Sequence, residues 1–192
     1  MKTKLGYWLG GATALALTFA GVSSWAAFSG NQSDQDVISF KTRAGVGGVL
    51  DIKIDGAATG VVASERNGTL VIKAPVDSFD TGNGGRDKHL RNTLKSKEHP
   101  FVALTVQRRK LPKLADGQSK EGSFDGAMSI AGKTKTIPVK YRAQRTGRDY
   151  KVQAMFFVNI KDFGIEPPCQ GPVCVEPKVT IAVKSFVLHD EP

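Results

Sequence analysis

The sequence predicts an all-β protein, an antiparallel barrel of about eight strands carrying one short helix. Three observations point there. Most of the chain alternates apolar and polar residues over short runs, the period of a half-buried strand. Gly, Asn, Asp and Pro break those runs at regular intervals. Two late loops, Ala131-Gly132-Lys133 and Thr146-Gly147-Arg148-Asp149, are short enough to demand antiparallel neighbours. Eight antiparallel strands close into a barrel that removes sheet edges and can hold one ligand.

The chain opens on a different pattern. Lys2 and Lys4 precede an uncharged apolar run, and small residues gather at Ser23, Ser24, Ala26 and Ala27. This is the layout of a secretory signal peptide, residues 1–26, with cleavage after Ala26. An uncleaved membrane anchor is the alternative, although the run barely spans a bilayer. Residues 27–35 read as a polar link, and residues 36–192 as one folded domain.

The strand runs are 36–43, 49–54, 69–76, 101–108, 121–130, 134–144, 150–159 and 175–188. In the second, Leu50, Ile52 and Ile54 alternate with Asp51 and Lys53. In the third, Leu70, Ile72 and Ala74 share a face. Phe124, Met128 and Ile130 share parity in the fifth, and Val179, Ile181 and Val183 in the last. Between the third and fourth runs lies the chain's most polar segment, residues 77–99. Within it Arg86–Leu94 fits a short helix, with Leu90 and Leu94 on one side and Asn83 or the following glycines at its start.

Charge and chemistry narrow the function. The formal charge of +9 falls to +7 without Lys2 and Lys4. The cations are scattered, with one denser group at Arg108-Arg109-Lys110 and Lys113, and no aromatic-interleaved basic motif of a single-stranded nucleic-acid binder. No GxSxG elbow, phosphate loop, HExxH site or dinucleotide fingerprint is present. Ser78, Asp87 and His89 concentrate hydrolytic side-chain types, but at a spacing that matches no motif; a polar loop bonded to its own backbone is the competing reading. Cys169 and Cys174 bracket Gln-Gly-Pro-Val. Export favours a disulfide; a metal pair lacks partner ligands, and a redox dithiol usually has closer spacing.

The run Ser78-Phe79-Asp80-Thr81-Gly82-Asn83, followed by Arg86-Asp87-Lys88-His89-Leu90-Arg91, resembles the signature of the YceI-like family of bacterial polyisoprenoid-binding proteins. The stretch from Gly126 through Ile130 and Gly132 to Thr134 is similar to that family's hairpin, and Asp162-Phe163-Gly164-Ile165 to a late element. The similarity runs from about Asp36 to Leu188; the Cys169–Cys174 segment stands outside the pattern.

The resemblance implies a lipocalin-like barrel in the periplasm, holding an isoprenoid or quinone-type lipid and requiring neither enzymatic activity, metal nor other cofactor. It also implies a homodimer in some members. On this reading Phe79, Leu90, Phe101, Met128, Phe156, Phe163 and Ile165 meet the apolar tail. Asp80, Asn83, Arg86, Asp87 and His89 meet a polar end. Two rivals remain: a basic stress protein that binds anionic membrane or polymer, and an isomerase or hydrolase built on His89 and Asp87.

Overall fold

The computed structural model describes residues 28–31, 38–46 and 50–190. The signal-peptide segment, residues 1–26, and link residues 27 and 32–35 lie outside them. Thirteen strands are seen: β1 (Phe28–Asn31), β2 (Ile38–Val46), β3 (Leu50–Ala58), β4 (Val62–Arg66), β5 (Thr69–Pro75), β6 (Phe79–Asp80), β7 (Phe101–Gln107), β8 (Ser119–Ile130), β9 (Lys133–Thr146), β10 (Asp149–Asn159), β11 (Cys169–Gln170), β12 (Val173–Val175) and β13 (Lys178–Asp190). One α-helix, α1 (Gly84–Thr93), follows β6.

All strand pairings are antiparallel, and eight strands form a circuit in the order β1-β4-β5-β7-β8-β9-β10-β13, closed by β13 pairing back to β1. Closure satisfies backbone groups that an open sheet would leave bare. Phe28 pairs with Asp190 and Ser29 with Ser64, so the start of the domain zips its end to β4. Residues 28–31 therefore belong to the sheet and not to the polar link expected there.

Each of the eight runs read from the sequence contains a strand, but two of them lie outside the circuit. β2 and β3 form a hairpin that pairs with the first half of β13 and projects past the ring as an arm. Along β3 only Ala57 and Ala58 meet a second neighbour, β6, so its edge from Leu50 to Gly56 has no further strand partner among the described residues. The chain bends from β3 into β4 at Gly60, whose positive φ of 63° suits glycine.

Tight turns set the register. Asn67-Gly68 (φ 51° and 68°) and Ala131-Gly132 (φ 46° and 78°) have the left-handed backbone of hairpin turns whose twist matches the strands. Gly56 has a different role: the Phe40 ring lies across it, where any Cβ would collide.

Two clusters of buried side chains line the inner wall. Val61, Leu70, Val106, Leu114, Tyr150, Phe186 and Leu188 gather at one end. Val76, Leu94, Val102, Met128, Ile130, Phe156 and Ile165 gather at the other, under the helix. Phe79, Phe124 and Val183 touch both.

Candidate functional site

A cavity of about 940 Å³ runs between the two clusters. It lies near the top of the range of about 300–1,000 Å³ typical of small-molecule sites. Val179 and Leu188, near opposite ends of β13, both line it. That is roughly 30 Å of strand at about 3.3 Å per residue. β5, β7, β8, β9, β10 and β13 all contribute apolar side chains, so the site is long and hydrophobic.

Exposure shows where it opens. The lining residues that reach solvent freely are Ile52, Asn83, Gly85, Arg86, His89, Cys169 and Gln170. They come from the arm, the helix and the cysteine segment, all at one end. At the other end the lining residues Arg108, Leu111, Pro112, Tyr150 and Leu188 are buried or half-buried.

The open end is built around the helix. Asn83 caps it, its side-chain oxygen accepting from the N–H groups of Gly85 and Arg86 at 3.0 and 3.1 Å. Cap and helix turn Arg86, His89, Leu90 and Thr93 toward the cavity. Arg86 donates one nitrogen to the Thr81 carbonyl at 2.9 Å, and its other N–H groups can serve a ligand oxygen.

Opposite the helix, β11 and β12 form a small hairpin joined by the Cys169–Cys174 disulfide and turned at Gly171-Pro172. β12 is held to the arm by the pairs Cys174–Gly45 and Val175–Ala44. Pro168, Cys169, Gln170, Val173 and Val175 thereby become part of the cavity wall. The bond allowed by the cysteine spacing is present, and it clamps the mouth.

The closed end is capped by residues 108–118 and an ionic cluster. Leu114 is buried and Leu111 packs against the same cluster. Arg145 donates to the Leu114 carbonyl at 2.9 Å and to the Gly147 carbonyl at 2.8 Å, and lies over the Tyr150 ring. Asp190 sits between Arg108 and Arg145, at 3.9 and 3.7 Å, and Arg108 also faces Glu65 at 3.7 Å. A partly buried cation here is matched by a carboxylate, as the cost of burying charge requires.

Phe79, Asn83, Arg86, His89, Leu90, Met128, Phe156 and Ile165 stand on the cavity wall. The other four candidates do not. Phe101 has outward parity on β7, where Val102, Leu104 and Val106 face in; it is 45% exposed and carries Lys73 over its ring. Phe163 is buried in a 3₁₀ turn behind the wall. Asp80 is exposed, its carboxylate accepting from the Gly82 N–H at 2.7 Å.

Asp87, in the first turn of the helix, is buried and accepts from the Thr81 hydroxyl at 2.6 Å and the Thr81 N–H at 2.9 Å. The Thr81 hydroxyl bond, together with the Thr81 N–H and the nearby Arg91 and Arg86, holds its carboxyl below the usual value against the opposing effect of burial. Asp87 is thus a strut for the loop that presents Arg86. Ser78 is likewise occupied, donating to the Thr59 and Pro75 carbonyls at 2.8 Å. Two of the three hydrolytic side chains suggested by the sequence, Ser78 and Asp87, are committed to backbone or to Thr81, whereas His89 stands exposed on the cavity wall. Among the described residues, no group of three or more His, Cys, Asp and Glu could hold a metal ion.

The sequence reading missed several wall residues. Phe40, on β2, packs 5.6 Å from Phe79, and Tyr141 and Tyr150 line the deeper part. The alternation Leu50-Ile52-Ile54 marked an inner face on β3, but not its use at a mouth.

No curated protein matches the chain. Among solved structures, it is similar to a polyisoprenoid-binding domain from Saccharophagus degradans implicated in plant cell wall breakdown. The TM-score is 0.64 at 12% identity, over 87% of this chain and 99% of that one. It is also similar to BcnA of Burkholderia cenocepacia, with a TM-score of 0.55 at 17% identity, over 78% of this chain and 94% of that one. At these identities the likeness is one of fold. The model of the YceI-like domain matches residues 27–185, taking in the arm, the helix, the clamped hairpin and all of the circuit but the last five residues of β13. The chain belongs to the YceI-like domain family.

Proposed function

We infer that this protein is a carrier that holds one long apolar molecule, an isoprenoid lipid of the polyprenyl or quinone type, inside its barrel. One observation carries the reading: the core is hollow along its length, lined mainly by apolar side chains, and its solvent-exposed lining residues lie at one end. A packed core of this size would leave few voids larger than a water molecule. An empty apolar space is costly unless something apolar fills it. The similarity to a domain described as polyisoprenoid-binding supports the same ligand class.

The tail would lie against Phe156, Met128 and Ile181, and a polar end would meet Asn83, Arg86 or His89 at the mouth. Arg86 suits a phosphate or a quinone oxygen. The signal pattern supports export to the periplasm, where such a lipid would need shelter from water.

The test is native mass spectrometry of protein purified gently from an exported fraction, followed by solvent extraction. A one-to-one adduct with isoprene-spaced fragments is expected. A clean apo mass that persists after incubation with quinones and polyprenyl phosphates would overturn the reading.

A further inference from the structure

Exposed apolar side chains are unevenly distributed. Of the six large ones exposed among the described residues, five lie at or beside the open end: Leu50, Ile52, Phe101, Met155 and Phe157. Leu50 and Ile52 continue the inner face of the arm past the ring. Met155 and Phe157, each 51% exposed, stand on the outer face of β10 just before the turn that carries the lining residue Ile160. Lys178 holds its ammonium 4.4 Å from the centre of the Phe157 ring.

The same end is basic. The helix and following loop, residues 84–99, hold Arg86, Lys88, Arg91, Lys95 and Lys97 against Asp87 and Glu98, and Asp87 is engaged with Thr81. Lys88, Lys95 and Lys97 are exposed and take no part in the cavity wall. Cations also occur at the closed end, at Arg109, Lys110 and Lys113, but there Val61, Leu111 and Leu114 are covered. Among the described residues, only the mouth combines exposed apolar side chains, cations and access to the cavity. That combination suits an anionic lipid surface, which attracts lysines and accepts aromatic and aliphatic side chains at its boundary.

We propose that the open end is a docking face for an anionic phospholipid bilayer, which presents the mouth to the membrane so that a ligand passes between bilayer and barrel without crossing water. The proposal rests on the carrier reading for its purpose, but the side chains that test it, Lys88, Lys95, Lys97, Met155 and Phe157, do not line the cavity.

Flotation of the exported protein with vesicles tests it, comparing mixed phosphatidylglycerol and phosphatidylcholine with phosphatidylcholine alone. Two charge-matched variants are compared: Lys88→Glu/Lys95→Glu/Lys97→Glu at the mouth and Arg109→Glu/Lys110→Glu/Lys113→Glu at the closed end. Binding to the anionic vesicles is expected, weakened at least about tenfold by the mouth variant and little by the other. Met155→Ser/Phe157→Ser should release what remains bound at high salt. Absence of flotation, or equal weakening by both charge variants, overturns the proposal. N-phenyl-1-naphthylamine fluorescence in the same samples reports the cavity independently. Loss of dye binding with flotation intact would remove the carrier reading and leave the docking face.

Discussion

Where β1 and β13 meet, the barrel is sealed by matched charge and a buried leucine; at the helix it is left ajar, with aliphatic and aromatic side chains in water. Arg145 anchors the sealed end through two carbonyls and Asp190. The open end has no comparable lattice. Its parts are a helix held by the Asn83 cap and by Asp87 and Arg86 on Thr81, an arm with an unpaired edge and a hairpin joined to the arm by two residue pairs. The sealed end is built for stability. The open end gives up packing for access, which is where mobile binding elements are drawn from.

Substitutions can break this division. The largest effect is expected in the channel between the ends. Phe156→Asp places a carboxylate in an apolar wall and should lower ligand affinity at least about 100-fold, or about 2.7 kcal/mol. Native mass spectrometry would read the lost adduct, and circular dichroism the retained barrel.

Arg145→Ala should cost about 2–3 kcal/mol of stability, discounted from the value for a fully buried pair because the side chain is partly exposed. The urea midpoint would fall while ligand affinity in the folded fraction stayed within about twofold. A large affinity loss would show that the two ends are coupled.

At the mouth the ordering should reverse. Cys169→Ser/Cys174→Ser opens a small ring, and chain entropy limits its contribution to about 2 kcal/mol. That loss should be confined to the hairpin, so the urea midpoint barely moves while ligand dissociation quickens several-fold in stopped-flow measurements. Reduction of the wild type should do the same.

The smallest effect concerns Asp87. Its folded carboxyl titrates below the unfolded value of about 3.9. Its stabilisation is therefore present above that value and lost as pH falls through the lower folded one. Asp87→Asn should flatten this acid limb of the stability profile and lower stability evenly across neutral-to-alkaline pH, with no change of slope there.

Much of this was legible in the sequence because strands and tight turns leave local marks. Leu70-Ile72-Ala74 declared an inner face, and Ala131-Gly132 declared a hairpin. The helix start at Asn83 and the paired cysteines were also visible. What escaped depends on distant partners. Phe28–Asn31 is a strand because β4 and β13 supply neighbours on both sides, not because Phe-Ser-Gly-Asn favours one. Phe101 matched the expected chemistry but not the parity of its strand. Arg86 and Asp87 are adjacent in a polar run, yet the helix turns one to the cavity and buries the other against Thr81. Alternation marks a buried face without telling whether side chains or empty space lie behind it.

Photo-cross-linking tests that space most directly. A polyprenyl phosphate bearing a diazirine at the end of its tail would be bound, irradiated and mapped by peptide mass spectrometry. A tail that threads from the helix to the sealed end should label Leu111, Tyr150 or Leu188. Labelling confined to outer-face residues such as Phe157, with none in the channel, would contradict the account.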